Sequence, residues 1–135
     1  MEKNIFTKSI FKEKYPEDGK RISIMSRHTE NDGKTPDKRI VEGTSFEEWL
    51  REFAPPEKLV GAYYREEISW EEFEEKYINF LRSNDIAPKV KSFARRCQGE
   101  IITLLCAEED ANKCHRRLLA EELQRYEPDL KIIHR

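Results

Sequence analysis

The feature that most constrains the fold is a continuous apolar run from Ile101 to Leu105, which includes β-branched residues. Such a run is typical of a strand that is covered on both faces. Residues 113–125 then follow a helical pattern with Asn112 as the predicted cap, and residues 130–134 predict a closing strand. Strand, helix and strand in this order are typical of a right-handed crossover between parallel strands. The sequence therefore predicts an α/β fold with a small, largely parallel sheet flanked by helices.

The first third of the chain predicts two strands and a long loop. Residues 5–11 and 21–26 alternate between apolar and polar side chains, and the turn sequence YPEDGK separates them. This pattern predicts a hairpin or two adjacent strands. Residues 27–43 are polar and contain two glycines and a proline, which predicts a loop of the kind that is commonly functional or mobile.

Two Ser-x-x-Glu sequences predict helix starts at Ser45 and Ser69. At this spacing the Ser and Glu side chains can satisfy free backbone amides reciprocally. We predict that the first of these helices ends before Pro55, since proline cannot continue a helix. Shorter helices are predicted over residues 59–64 and 88–96.

Length and charge limit the class of protein. The 135 residues fit one domain, 1–135, and a chain of this size builds a core without disulfides or metal. The net charge of −2 argues against a broadly basic DNA-coating protein. No apolar run approaches the ~20 residues that cross a bilayer, and Met1-Glu2-Lys3-Asn4 lacks the hydrophobic stretch of a secretion signal. We predict a cytoplasmic protein with no membrane partner, whose three cysteines remain thiols.

The segment LLCAEEDANKCHRRLLAEEL joins the predicted late strand to the helix that follows it. In open α/β sheets, ligands bind beyond the carboxyl ends of the strands, where residues 106–113 are predicted to lie. The helix start offers unpaired amides and a positive dipole end, which would acidify a thiol at Cys114 and attract an anion beside Arg116 and Arg117. These features favour a phosphate or carboxylate ligand.

A purely structural interpretation of the same residues stays open. Free cysteine is among the residues most often buried, so Cys106 and Cys114 can both belong to the core. Glu108 can simply solvate a loop. Arg116, however, shares the apolar stripe of its helix, which is unusual for a merely solvated charge.

No metal site is predicted, and no cofactor can be identified. Cys106, Cys114 and His115 would need a fourth ligand such as His28, and the sequence has no Cys-x-x-Cys pair. Neighbouring helical residues also diverge by ~100° around the axis, which would separate Cys114 from His115. Walker A, G-x-G-x-x-G, G-x-S-x-G and phosphatase-type cysteine-loop sequences are all absent.

Longer segments resemble the family known as domain of unknown function 488 (DUF488) over nearly the whole chain. PEDGKRISIMSR, FEEWLREFAPPEKL and SWEEFEEKYINFL are similar, in this order, to its YeaO-like branch, although Ser26 and HTENDG replace the groups that usually flank Arg27 there. LLCAEEDANKCHRRLLAEEL resembles instead the Cys-x-Glu and Cys-His-Arg pattern of the other main branch. The resemblance implies a compact α/β layer fold and a site without a settled reaction. The site residues that it implies are Arg27, Cys106, Glu108, Cys114, His115 and Arg116.

The leading hypothesis is a cytoplasmic enzyme of unknown reaction on an anionic, phosphate-bearing or nucleotide-like substrate. Arg27 and Arg116 would clamp the anion, since a guanidinium is a planar, always-charged donor. Glu108 or His115 would act as general acid or base. Cys106 would line the pocket or act as nucleophile.

Two alternatives belong to other classes of protein, and the oligomeric state is not indicated. The first is a non-catalytic module that binds nucleic acid or another ligand, with Tyr63 and Tyr64 beside Arg65 as the best stacking candidates. The second is a thiol switch between Cys106 and Cys114, which requires α-carbons within ~7 Å.

Overall fold

A five-stranded parallel sheet organises the structure, a computed structural model that describes residues 3–135. Its strands are β1 (Asn4–Ser9), β2 (Lys20–Ser23), β3 (Glu48–Trp49), β4 (Ile102–Cys106) and β5 (Lys131–His134). They lie in the order β3-β2-β4-β1-β5, and every neighbouring pair is parallel. The predicted α/β class is therefore confirmed. Met1 and Glu2, cited above for the absence of a secretion signal, lie outside the described residues.

The central strand is β4, and all five of its residues are buried. Successive strand residues point to opposite faces, so Ile102 and Leu104 join the large apolar cluster on one face of the sheet. Leu105 points the other way and packs with Ile10 and Phe46 in a second, smaller cluster. The apolar run of the sequence corresponds to a strand covered on both faces, as predicted.

Four helices accompany the sheet, and all four contribute side chains to the large cluster. They are α1 (Glu57–Tyr64), α2 (Trp70–Leu81), α3 (Ala87–Gly99) and α4 (His115–Tyr126). The predicted cap of α2 is confirmed, because the hydroxyl of Ser69 accepts a hydrogen bond from the amide of Glu72 at 3.1 Å. None of the helices within residues 3–135 has the length and apolar character needed to cross a membrane.

The predicted hairpin or adjacent pairing of the first two strands is wrong. β1 and β2 run parallel on either side of β4, with Ile5 opposite Ile102 and Ile22 opposite Leu104. The physical reason is that β4 is apolar on both faces, and its side chains are buried best at the centre of the sheet, where packing covers both faces.

The predicted helix from Ser45 is also wrong. Residues 48–49 form the edge strand β3, and a short 3-10 turn follows over Arg51–Phe53. The Ser45 hydroxyl does not cap a helix, because it accepts from the amide of Val41 and faces the carbonyl of Arg39. Pairing with β2 satisfies the backbone in place of helical hydrogen bonds.

The connection between β1 and β2 holds a buried carboxylate, Asp18. The ammonium of Lys8 lies 2.9 Å from Asp18 and the guanidinium of Arg21 lies 2.7 Å from it. Burial alone would raise the pKa of Asp18, but the hydrogen bonds from Lys8, the Tyr15 amide and Arg21 hold it below its usual value. This cluster ties the loop after β1 to the sheet.

Candidate functional site

A cavity of about 740 Å³ opens beside the carboxyl end of β4. Its walls come from the polar loop after β2, from α1, and from the bend between β4 and α4. Of the site residues named from the sequence, the cavity is lined by Arg27, Cys106, Glu108, Cys114 and His115. The structure thus brings together side chains that lie far apart in the chain, as expected for a ligand site at this edge of a parallel sheet.

The bend between β4 and α4 differs from the sequence prediction in a way that changes the site. A 3-10 turn covers Ala111–Lys113, and α4 begins only at His115. The predicted cap, Asn112, lies inside that turn, and Cys114 is the N-cap residue with φ −137° and ψ 140°. Because Cys114 is extended rather than helical, the ~100° rotation between helical neighbours does not separate it from His115.

The sulfurs of Cys106 and Cys114 lie within bonding distance of each other, while their α-carbons are 7.4 Å apart, beyond the ~7 Å that a disulfide requires. The bend turns the N-cap back onto the end of β4 and so places the two cysteines as a pair. That they remain thiols, and that they form a thiol switch, both stay predictions. Both cysteines are 1% exposed, so each is buried as well as part of the cavity wall. Cys97, on α3, is a free thiol, and burial raises its pKa to about 12.

The imidazole of His115 is held in a defined state. Its Nε2 lies 2.8 Å from the carbonyl oxygen of Ile24, and since a carbonyl can only accept, Nε2 carries the hydrogen. Burial and the nearby Arg116 lower the pKa of His115 to about 4, although the bond to Ile24 opposes the shift. The ring is neutral at pH 7, and its Nδ1 carries the free lone pair.

His28, the fourth ligand that a zinc site would have needed, lies elsewhere. Its Nε2 is 2.7 Å from the hydroxyl of Ser23, and its ring stacks on Trp49 with centroids 3.9 Å apart. Burial, followed by the charge of Arg51, lowers the pKa of His28 to about 4. It belongs to the packing of the β2–β3 edge.

Arg116 lies beneath the cavity and is 0% exposed. Its guanidinium donates to the carbonyls of Glu108 and Glu109 and contacts the sulfur of Cys106 at 3.4 Å. A weaker contact reaches the hydroxyl of Thr7 at 3.4 Å. Burial lowers the pKa of Arg116, but an arginine stays charged at neutral pH. Its donors are directed at the backbone of the bend and at Cys106, which positions that loop; direct contact with an anion stays a prediction.

The cavity is also lined by three cations and four carboxylates: Arg27, Arg65, Lys113, Glu30, Asp32, Glu57 and Glu108. Arg27 forms a bidentate pair with the exposed carboxylate of Glu57, at 2.9 and 2.7 Å. Lys113 is exposed and has no ion-pair partner among residues 3–135. The carboxylate of Glu108 accepts a hydrogen bond from the hydroxyl of Tyr64.

Sequence reasoning missed Lys113 as a cation of the site, and it missed the link between Tyr64 and Glu108. The position of Lys113 just before the Cys-His-Arg element was an available signal for the first. No local pattern predicts the hydrogen bond between Tyr64 and Glu108, because the two residues are 44 positions apart in the chain.

The sequence of the chain matches a protein-family model. The model DUF488-N3a, described as "Active DUF488-N3 subclade", matches residues 5–127, a range that contains the cavity-lining residues and the whole bend. No curated protein and no solved structure matches the chain significantly. The similarity of the first half to the YeaO-like branch stays a prediction. Because the match covers most of the chain, the protein belongs to the DUF488 family.

Proposed function

We propose that the protein is a cytoplasmic enzyme that acts on an anionic, phosphate-bearing or nucleotide-like substrate bound in the cavity. One observation carries this proposal: the same cavity is lined by three surface cations, by carboxylates that include Glu108, and by two buried sulfurs with a partly exposed imidazole. The word "Active" in the description of the matching subclade agrees with it.

Substrate binding depends on Lys113 and Arg27 in this proposal. Lys113 is unpaired within residues 3–135 and can meet a phosphate directly. Arg27 is held by Glu57, but both side chains are about half exposed, and such a pair contributes only ~0–1 kcal/mol. An incoming dianion can therefore take the guanidinium at little cost. Glu57→Gln is expected to strengthen binding, since the competing charge is removed.

Proton transfer is assigned to Glu108. Its side chain faces the cavity, while its backbone carbonyl is fixed from below by Arg116 and its carboxylate by the hydroxyl of Tyr64. A carboxylate positioned in this way can take or give a proton on a bound substrate. Glu108→Gln keeps an acceptor for Tyr64 but removes the titrating group.

The experiment measures binding and turnover separately. Thermal unfolding with inorganic phosphate and a panel of nucleoside monophosphates should show stabilisation of about 2.7 kcal/mol at a hundredfold excess over Kd. Lys113→Ala and Arg27→Ala should weaken that effect. The matched control Arg125→Ala lies near the far end of α4, pairs with Glu122, and should change nothing.

Turnover of the compound that binds best is then followed by product analysis. Glu108→Gln should lower kcat by about 10²–10⁴-fold while binding changes little. Absence of stabilisation by every anion of the panel, or full turnover in the Glu108→Gln variant, would refute the proposal.

One observation favours a second candidate, a non-catalytic module that binds nucleic acid. Tyr64 lines the cavity and is 63% exposed, as a stacking platform for a base would be. Tyr63 packs instead against Trp70 and Phe73, with centroids 5.7 and 5.3 Å away, so only one of the two rings is free to stack. Oligonucleotide binding that weakens steeply with salt and is lost in Tyr64→Ala, without turnover, would favour this candidate.

A further inference from the structure

We propose that Cys106, Cys114 and His115 bind one zinc ion when both cysteines are thiols rather than joined as a disulfide, with a fourth coordination position open to the cavity. Binding of the ion stands on its own geometry, whereas its catalytic use rests on the proposed function. Reduction needs a dithiol, which gives two electrons and two protons to the disulfide and becomes a disulfide itself. The two thiols then lose their protons as Zn²⁺ binds.

The distances between the three donor atoms support this site. One ligand atom from each of Cys106, Cys114 and His115 lies within 4.8 Å of the others. Zinc–sulfur bonds of ~2.3 Å and zinc–nitrogen bonds of ~2.0 Å in a tetrahedron place such donors about 3.5–3.8 Å apart. Small side-chain movements are therefore sufficient.

The backbone separation of the two cysteines points in the same direction. Their α-carbons are 7.4 Å apart, while those of most disulfides are about 4.4–6.8 Å apart. Two sulfurs that share a zinc ion are about 1.7 Å farther apart than two bonded sulfurs, because each lies ~2.3 Å from the metal. The wider spacing therefore accommodates an ion between the reduced sulfurs without moving β4 away from α4.

Two contacts, one buried and one partly buried, prepare the ligands for a metal. Arg116 has no carboxylate within hydrogen-bond distance among residues 3–135, and its guanidinium contacts the sulfur of Cys106 at 3.4 Å. A buried cation that contacts a sulfur and has no carboxylate bonded to it favours the thiolate form of that sulfur. The Nε2 hydrogen of His115 is donated to the carbonyl of Ile24, which is the outer contact that usually orients a metal-binding imidazole and leaves Nδ1 free to coordinate.

Three protein ligands and an open position are typical of catalytic rather than structural zinc. Zn²⁺ with two thiolates is electrically neutral, so the charge of Arg116 remains below the site. That charge favours a hydroxide or a substrate oxygen anion at the open position. The site would then supply a metal-bound nucleophile or polarise an anionic substrate next to Glu108.

The test measures zinc in the reduced protein. The protein is purified with a dithiol and incubated with zinc. Unbound zinc is removed on a desalting column, and the zinc content per chain is then measured by elemental mass spectrometry. Cobalt replaces zinc in a parallel sample, where thiolate coordination gives a visible absorption band. We expect one zinc ion per chain and a cobalt–thiolate band, both lost after oxidation by hydrogen peroxide.

Variants assign the ligands. Cys114→Ser and His115→Gln should weaken zinc binding by about tenfold or more, and the new amide of the latter can still donate to Ile24. The controls Cys97→Ser and His28→Gln should retain one ion, because these residues lie outside the cluster. If the Cys114→Ser variant does not fold, the cobalt spectrum of wild type tests thiolate coordination, and the zinc content of His115→Gln tests the role of the imidazole.

Two results would overturn the site: less than about 0.1 zinc per chain in reduced wild type, or wild-type zinc content in His115→Gln. Lys113→Ala separates this inference from the proposed function, because it should lose phosphate binding and keep its zinc. Zinc binding without any anion binding would therefore remove the function and leave the metal site standing.

Discussion

Replacing Arg116 by methionine tests whether this residue supports the site from below. Methionine fills most of the same volume, so the main loss is the donors for the carbonyls of Glu108 and Glu109. Each buried acceptor left without a partner costs about 1–3 kcal/mol, and relief from burying the charge offsets part of that cost. We expect Arg116→Met to lower the free energy of unfolding by about 3 kcal/mol.

The assay is urea unfolding at pH 7 with a reductant present, followed by circular dichroism and by tryptophan fluorescence. For a chain of this length, about 3 kcal/mol corresponds to a fall in Tm of roughly 10 °C. The neighbouring Arg117→Met is the matched control. The side chain of Arg117 is 19% exposed and pairs with Glu74 and Glu121, which are both more exposed, so its loss should cost less, about 1 kcal/mol.

Two outcomes would contradict this reasoning. If the free energy of unfolding of the Arg116→Met variant lies within about 1 kcal/mol of the wild-type value, the buried contacts contribute little. If the same variant kept its stability but lost all phosphate binding, Arg116 would contact the ligand directly, as the sequence alone suggested. Equal losses in Arg116→Met and Arg117→Met would show that burial does not distinguish the two residues.

Three further predictions concern stability. Asp18→Asn should lower the free energy of unfolding, measured in urea at pH 7, by about 3–5 kcal/mol, because it leaves two buried cations unpaired. Since the pKa of Asp18 is lowered in the folded protein, wild type should lose this contribution only as the pH falls below ~4. Gly19→Ala should lower Tm by several degrees, since φ is +62° there and a new Cβ would overlap the carbonyl of Ile101. The pKa of His28 is about 4, below its unfolded value, so protons bind the unfolded chain preferentially and His28 should account for a loss of about 2 kcal/mol between pH 6.5 and pH 4. His115, whose pKa is also about 4, adds a loss of the same sign. His28→Gln should show a shallower pH dependence, and an unchanged slope would contradict the assignment.

The late part of the fold could be predicted because its signals are local and agree with one another. The apolar run of β4, the stripe of α4 and the apolar residues of β5 each indicate one element, and all three elements are present. The region around Ser45 could not be predicted in the same way. Its capping signal is local, but hydrogen bonds from the amides of Glu47 and Leu50 to β2 join residues about 26 positions apart, and no local pattern encodes them.

The location of the candidate site could be predicted from the sequence, whereas the relative positions of its side chains could be predicted only in part. The strand-to-helix bend follows from the pattern of the sequence, and so does its position at the carboxyl edge of the sheet. The exact start of α4 does not, since helix boundaries are uncertain by one or two residues. Here that difference decides whether Cys114 is a helical residue or an extended cap, and therefore whether it shares one side with His115.

Arg116 contacts both parts of the site, the cluster of Cys106, Cys114 and His115 and the loop that carries Glu108. Its guanidinium contacts the sulfur of Cys106 and also holds the backbone of the loop that carries Glu108. The sulfur cluster and the proposed acid–base group are thus both fixed to the first turn of α4, which packs against the core through Leu119 and Leu123. A charged residue on the apolar stripe of a helix is costly unless its donors are used. The backbone carbonyls of the bend use them, and this leaves the side chain of Glu108 to face the cavity.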